Sequence, residues 1–175
     1  MPDIYVVKRD GKRELFDANK INLALVKASE GLPEQIAKVV QVASEVQLTL
    51  FDGITSEQLD EAVINATLQN VKDDPDYDKI AARLLLKTIY KQVLGSYESF
   101  DELKKLHEIK FPKYIKEATE LGLLDARMSD SKLFNLKKLA KALDPSKDDL
   151  SKYLGVITNR NRYSLKKEGD RKRHV

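Results

Sequence analysis

The chain has 175 residues, 42% of them hydrophobic and 34% charged, and a formal net charge of only +3. This composition is typical of a globular protein and excludes a generally basic chain, so any anion site must be local. The absence of cysteine excludes a disulfide framework, a cysteine-ligated zinc site and a thiol nucleophile. No apolar run approaches the roughly 20 residues of a membrane span, and residues 1–8 do not resemble a signal peptide, so a soluble cytoplasmic protein is expected.

The first predicted element is a β-hairpin in "DIYVVKRDGKRELF", residues 3–16. Residues 4–7 are β-branched or aromatic, which favours a strand. Asp10 and Gly11 both tolerate positive φ and therefore predict a two-residue turn. Leu15 and Phe16 complete the returning strand.

Two helices are predicted to follow the hairpin. Asp17 is a candidate N-cap, and the first helix ends at Gly31. Pro33 opens the second helix. Apolar residues recur at helical spacing in both, at Ile21, Leu25 and Ala28 in the first helix and at Ile36, Val39, Val40, Ala43 and Val46 in the second.

The third and fourth helices carry the clearest signals. Thr55 followed by Gln58 forms a capping box, and the apolar face behind it comprises Leu59, Ala62, Val63 and Ala66. In the fourth helix, apolar residues recur every four positions from Ala81 to Val93, and Gly95 ends it. Residues 1–95 are therefore predicted to form one domain, a small sheet capping about four helices.

Residues 96–175 are predicted to form a second, helical segment that ends in a hairpin. The signals are a helix start at Ser99-x-x-Glu102, a helix from Pro112 to Gly122, a leucine-rich helix, a cap at Ser146, and a C-terminal hairpin turning near residues 168–170. The leucines are Leu133, Leu136, Leu139 and Leu143. The predicted fold class is thus mainly α, with a minor β component (α+β).

The hairpin and the helix after it present an unusual concentration of charge. Lys8 and Arg9 end the first strand, and Lys20 lies in the first turn of the next helix, near its free N–H groups. Several cations beside a helix N-terminus suit a polyphosphate. No G-x-x-x-x-G-K-[ST] motif is present, so the site is not of the Walker type.

Two carboxylates, Glu14 and Asp17, lie beside these cations. A carboxylate would repel phosphate, but it accepts a hydrogen bond from the exocyclic amine of adenine and rejects the carbonyl of guanine at the same place. The same residues also suit a solvated hairpin tip and an ordinary N-cap. The residues alone therefore leave both interpretations open.

The segments "VVKRDGKRELFDANKI", "FDGITSEQLDEAVI" and "DPDYDKIAARLLLKTIYKQV" resemble the ATP-cone, the regulatory nucleotide-binding domain at the N-terminus of many ribonucleotide reductases. The segments "YIKEATELGLLDARM", "LAKALDPSKDDLSKYLGVIT" and "RYSL" resemble the helical region that joins the cone to the catalytic barrel of the large subunit. The resemblance implies a cone over about residues 3–95 and a chain that ends before the barrel.

The resemblance also implies site residues and ligands. Phosphates would meet Lys8, Arg9, Lys20, Ser56 and Lys91, the adenine would meet Glu14 and Asp17, and Asp60 would lie near the sugar. The implied ligands are ATP as activator and dATP as inhibitor, and Mg²⁺ can accompany the triphosphate. No catalytic or metal-binding residue is expected in this chain.

The function implied is control of overall reductase activity in deoxyribonucleotide synthesis, exerted through oligomer state. The implied partners are the catalytic part of the large subunit, the radical-generating small subunit and further copies of the cone. The chain alone should be inactive, because the family's catalytic cysteines lie beyond its end.

Two alternatives stay open. Transcriptional repressors of reductase genes also carry an ATP-cone, and "KKEGDRKRH" is basic, but in those proteins a four-cysteine zinc ribbon precedes the cone. A degenerate cone that no longer binds nucleotide is the other alternative. Neither His107 nor His174 has a second ligand at metal spacing, and the aspartates of residues 73–78 are interpreted as helix caps.

Overall fold

The computed structural model describes residues 3–95, 97 and 99–165. A mainly α fold with a small N-terminal hairpin is confirmed. The described strands are β1 (Tyr5–Val7) and β2 (Arg13–Leu15). The described α-helices are α1 (Ala18–Ala28), α2 (Gln35–Gln47), α3 (Ser56–Gln69), α4 (Asp76–Leu94), α5 (Phe100–Glu120), α6 (Leu136–Ala142) and α7 (Tyr153–Thr158).

The two strands pair antiparallel, with Val6 opposite Glu14. The hairpin prediction is confirmed, but the two-residue turn was wrong. Lys8 N donates to Lys12 O at 2.8 Å and Gly11 N donates to Lys8 O at 2.9 Å, so the loop comprises three residues, 9–11. Gly11 has a φ of 81° and is left-handed. Asp10 is not left-handed, because Glu34 is the one described non-glycine residue with positive φ. A turn closed by a single left-handed glycine is the common longer alternative in hairpins.

Helix α1 begins and ends close to its predicted limits. Asp17 accepts a hydrogen bond from Asn19 N at 2.9 Å, which confirms the N-cap. At the other end, Arg83 Nη1 donates to the carbonyl oxygens of Ala28 at 3.0 Å and Glu30 at 2.8 Å. A guanidinium therefore satisfies carbonyl groups that the end of the helix leaves without intrahelical partners.

Helix α2 packs against both α1 and α3. It begins at Gln35, two residues after Pro33, and its buried residues are Lys38, Val39, Val42 and Val46. Part of the predicted face was wrong, because Ile36 is 81% exposed and Val40 is 59% exposed. Apolar residues occur all around this helix, so spacing alone did not select the buried side.

A lysine lies in the core beside α2. Lys38 is only 4% exposed, and its ammonium group donates to Pro33 O at 2.8 Å. It also pairs with Asp74 Oδ2 at 2.8 Å and with Asp76 Oδ2 at 3.5 Å. These bonds join α2 to the segment that begins α4, and they replace the water that a buried charge loses.

The capping box of α3 is confirmed, with Gln58 N donating to Thr55 Oγ1 at 3.1 Å and Thr55 N to Gln58 Oε1 at 3.0 Å. Within the first hundred residues, the buried apolar side chains come from β1, from helices α1 to α4 and from Ile54 in the loop before α3. They include Val6, Ile21, Leu25, Val39, Val42, Val46, Ile54, Val63, Ile64, Ile80, Ala81, Leu84 and Leu85.

The described residues form two compact units. One contains the residues up to 88 together with 151–156, and the other contains 89–150 and 157 onwards. The predicted boundary at residue 95 stays a prediction, since α4 runs from one unit into the other.

In the second unit, the prediction of a helix start at Pro112 was wrong. Ser99 caps α5 as predicted, and the helix continues through Pro112 to Glu120. Proline removes one intrahelical hydrogen bond, but α5 buries Leu103 and Ile115 on either side of it. Packing on both sides of the proline therefore prevails over the local preference for a break.

The leucine-rich helix is shorter than predicted, because it begins at Leu136 and ends at Ala142. The predicted cap at Ser146 was wrong, since Asp144 Oδ1 accepts from Ser146 N at 3.1 Å and starts a 3₁₀ turn, Pro145–Leu150. A further 3₁₀ turn, Ala126–Ser129, follows α5, and a π-helical turn, Asn159–Tyr163, follows α7. The predicted C-terminal hairpin turn, the basic segment 166–174 and His174 lie outside the described residues.

Candidate functional site

Lys8 and Lys20, which are predicted to bind phosphate, both contact Glu14, which is predicted to contact the adenine. Lys8 Nζ lies 3.1 Å from Glu14 Oε2, and Lys20 Nζ lies 3.0 Å from the same oxygen. Lys8 follows β1, Glu14 belongs to β2, and Lys20 lies in the first turn of α1. The antiparallel hairpin therefore brings together three charges that are distributed over thirteen positions of sequence.

The electrostatics of this Lys8–Glu14–Lys20 cluster favour an ionised carboxylate. Hydrogen bonds from Lys20 and then Lys8 hold the pKa of Glu14 below its ordinary value. All three side chains are accessible, with Lys20 64% exposed and Glu14 49% exposed. Two ammonium groups that share one carboxylate leave a net positive charge. Ammonium groups form their stronger hydrogen bonds with charged acceptors such as phosphate oxygens, so the cluster suits a phosphate.

The hairpin is also joined to the start of α3. Val7 N donates to Ile54 O at 2.9 Å, and Val7 forms a parallel bridge with Thr55. Arg9 Nε lies 3.2 Å from Glu57 Oε1 in the first turn of α3. Arg9 therefore lies beside the first turn of α3, the helix on which the resemblance places Ser56 as a phosphate contact.

Ser56 and Asp60 both lie on α3, one turn apart, and both are partly exposed. The capping box uses the hydroxyl of Thr55, so Ser56 is the neighbouring hydroxyl that capping does not require. Asp17 caps α1 through Oδ1. Lys91 is exposed in the last turn of α4 and belongs to the second compact unit. Its role and those of Ser56 and Asp60 stay predictions.

Asp52 joins β1 and β2 through hydrogen bonds that the sequence did not predict. Asp52 Oδ1 accepts from Tyr5 N at 2.9 Å, and Asp52 Oδ2 accepts from Arg13 Nη2 at 2.9 Å. The Arg13 guanidinium also lies 5.1 Å from the centre of the Tyr5 ring. The bond from Tyr5 N, and after it the bond from Arg13, lower the pKa of Asp52. No local pattern connects residue 52 with a strand so distant in the chain.

The aspartates before α4 and the histidine of α5 lie outside this region. Asp74 Oδ1 accepts from Asp76 N at 2.9 Å, as a helix cap does. In the second unit, His107 packs edge-on against Tyr90 at 5.6 Å between ring centres, and it lines an apolar cavity of about 320 Å³ with Val93, Phe111 and Tyr114. Burial lowers the pKa of His107. Within residues 3–95, 97 and 99–165, no group of three side chains is arranged to hold a metal ion.

A family model described as "ATP cone domain" matches residues 4–92. The chain belongs to the ATP-cone family. Every predicted site residue of the cone, including Lys91, falls within the matched range. In the part of the chain that the structure describes, no helix is both long and apolar enough to cross a membrane.

The chain that carries this cone is similar to ribonucleotide reductase subunits over nearly its whole length. It is 29% identical over 168 residues to ribonucleoside-diphosphate reductase subunit alpha of Chlamydia trachomatis, covering 96% of this chain and 16% of that protein. It is 28% identical over 171 residues to the large subunit of Arabidopsis thaliana, covering 95% of this chain and 20% of that protein. It is 32% identical over 115 residues to subunit alpha of Haemophilus influenzae, covering 63% of this chain. The chain thus spans no more than a fifth of the length of these relatives.

Proposed function

We propose that this cone is a regulatory nucleotide-binding domain of a ribonucleotide reductase large subunit and that it binds ATP as activator and dATP as inhibitor. The observation that supports this proposal most strongly is the meeting of Lys8 and Lys20 at one oxygen of Glu14. That cluster lies within the range matched by the ATP-cone family.

In the proposed complex, triphosphate oxygens take the hydrogen bonds of Lys8 and Lys20. Arg9 adds a third cation, and its planar guanidinium can donate two parallel bonds to a phosphate. Ser56 and Lys91 are the further proposed phosphate contacts. Mg²⁺ can accompany the nucleotide and lower the repulsion between its phosphates.

Once phosphate engages the lysines, Glu14 is free to accept a hydrogen bond from the adenine amine. Asp17 caps α1 through Oδ1, and its Oδ2 is proposed to meet the base as well. Both groups are acceptors when ionised, and guanine presents a carbonyl where adenine presents an amine. The site should therefore prefer adenine nucleotides.

Regulation requires that ATP and dATP favour different states of the whole subunit, since a ligand shifts an equilibrium only through its differential affinity for the two states. The proposed states differ in oligomerisation through the cone. The proposed partners are the catalytic part of the large subunit and the small subunit that supplies the radical. The chain contains no cysteine, so reduction of ribonucleotides in the cytoplasm would require the rest of the enzyme.

Calorimetric titration of this chain with ATP, dATP and GTP tests the proposal. ATP and dATP should bind and GTP should bind much more weakly. Lys8→Met should lower ATP affinity roughly 10- to 100-fold, because one charge-assisted hydrogen bond is lost. Lys12→Met is the matched control, since Lys12 lies on the same hairpin, is 81% exposed and pairs with Asp10, two residues earlier in the turn. No heat from any nucleotide would favour the degenerate cone, and equal losses in the two variants would contradict a specific site.

The two adenine nucleotides differ by the 2′-hydroxyl, so the discriminating group should lie near the sugar. Asp60 is the proposed residue. Asp60→Asn should reduce the ratio of ATP to dATP affinities while leaving the triphosphate contribution largely unchanged. An unchanged ratio in the same titrations would remove Asp60 from this role.

A further inference from the structure

Arg9 and Glu57 form an ion pair that joins the hairpin to α3. Arg9 Nε lies 3.2 Å from Glu57 Oε1, and the side chains are 37% and 59% exposed. The backbones on either side are fixed independently, because Val7 N donates to Ile54 O and Val7 pairs with Thr55. The ion pair is therefore not needed to bring the two elements together, and both side chains can rearrange without moving the backbone.

Each proposed phosphate-binding cation of the hairpin region faces a carboxylate. Lys8 and Lys20 face Glu14, and Arg9 faces Glu57. An incoming triphosphate must compete with both carboxylates for these cations. Glu14 has a second proposed role with the base, whereas Glu57 has none.

We propose that Glu57 sets the nucleotide affinity of the cone by competing with phosphate for Arg9, and that binding releases Glu57 from the hairpin. This inference rests on the proposed function. In the bound state the Arg9 guanidinium turns to a phosphate oxygen and Glu57 becomes solvated in the first turn of α3. Nucleotide binding thereby changes the ion pairing in the first turn of α3, because Arg9 exchanges Glu57 for a phosphate.

The expected size of the effect follows from the exposure of the pair. Exposed ion pairs are weak, so Glu57→Gln should tighten ATP binding about two- to fivefold and not more. The ratio of ATP to GTP affinities should not change, because Glu57 is not proposed to contact the base. The gain should shrink as salt concentration rises.

The test is a double-mutant cycle measured by calorimetry with ATP on the full chain. Glu57→Gln is compared with Glu61→Gln, which removes the same charge from an exposed position one turn further along α3. The comparison is repeated with Arg9→Gln in the background. We expect a gain for Glu57→Gln, little change for Glu61→Gln, and no gain for Glu57→Gln once Arg9 is replaced.

The outcomes separate this inference from the proposed function. If the parent binds ATP but Glu57→Gln and Glu61→Gln behave alike, the effect is general electrostatics and the inference is wrong. A gain that persists in the Arg9→Gln background also overturns it, because the competition would then not involve Arg9. If the parent binds no ATP, the proposed function fails and the inference fails with it.

Discussion

Replacement of Lys38 by methionine tests the main polar contact inside the cone. The change keeps the buried aliphatic stem and removes the ammonium group that contacts Pro33 O, Asp74 and Asp76. Asp74 and Asp76 would lose a cation that joins them to α2. The variant should therefore fold less stably without a change in the shape of the core.

The magnitude follows from the burial of each partner. A hydrogen bond to a charged group contributes about 1.5–3 kcal/mol, and removing one partner of a fully buried pair costs about 3–5 kcal/mol. Lys38 is buried, but the side chains of Asp74 and Asp76 are each 35% exposed, so water can solvate them after the change. We therefore expect Lys38→Met to lower the free energy of unfolding by about 2–3 kcal/mol at neutral pH.

The pair also predicts a pH dependence. The hydrogen bond from Lys38 lowers the pKa of Asp74 below its ordinary value of 3.8, and the same bond raises the pKa of Lys38 above 10.5. The contribution of Asp74 is present above 3.8 and is lost as the pH falls through its lowered pKa; that of Lys38 is present below 10.5 and is lost as the pH rises through its raised pKa. The difference between parent and variant should be constant from about pH 5 to 9 and should shrink in acid.

Urea unfolding followed by circular dichroism at several pH values measures both effects. Lys72→Met is the matched control, because Lys72 is exposed in the turn between α3 and α4 and surface changes are usually within about 0.5 kcal/mol. Equal losses for the two variants, or a loss for Lys38→Met that persists undiminished in acid, would refute the reasoning.

Two further substitutions test the packing of the core and the hydrogen bonds of Asp52. Leu25 is 1% exposed, so Leu25→Ala should lower the free energy of unfolding by about 2–5 kcal/mol; denaturant unfolding with a loss well under this range would show that α1 is not part of the core. Asp52→Asn should lower stability at neutral pH, because the charge that pairs with Arg13 is lost. The pKa of Asp52 is lowered in the folded chain, so its contribution is present above 3.8 and is lost as the pH falls through the lowered value. Thermal melts of parent and Asp52→Asn should therefore converge in acid, and a constant gap would contradict this.

The elements that the sequence predicted well are those whose signals are local. Three helix caps were predicted, at Asp17, Thr55 and Ser99. Each of these side chains accepts a hydrogen bond from a backbone N–H two or three residues later in the chain. Such a cap depends only on neighbouring residues, so its pattern can be recognised in the sequence. The same is true of Gly122, whose positive φ ends α5.

The errors occurred where distant residues decide the outcome. Helix α2 has apolar residues on most sides, and its buried side is set by α1, α3 and the acidic pair that receives Lys38. Periodicity predicts that a lysine faces solvent, and it does not reveal a partner at residue 74. In α5, packing on both sides of Pro112 maintains a helix that the proline rule would have ended.

The candidate site follows the same division. The convergence of Lys8, Glu14 and Lys20 could be predicted because a hairpin and the helix directly after it lie within thirteen positions. The contacts of Asp52 and Glu57 could not be predicted in this way. Asp52 lies in the loop before α3 and Glu57 lies in α3, and both approach the hairpin only in the folded chain. The sequence therefore predicted that Lys8, Glu14 and Lys20 lie together, but not that Glu57 pairs with Arg9.

The central claim is that the Lys8–Glu14–Lys20 cluster binds the triphosphate of an adenine nucleotide, and a crystal structure of this chain with ATP tests it most directly. Both ammonium groups should lie within hydrogen-bonding distance of phosphate oxygens, and Glu14 should face the adenine amine. A bound ATP elsewhere on the chain, with Glu14 still between the two lysines, would contradict it.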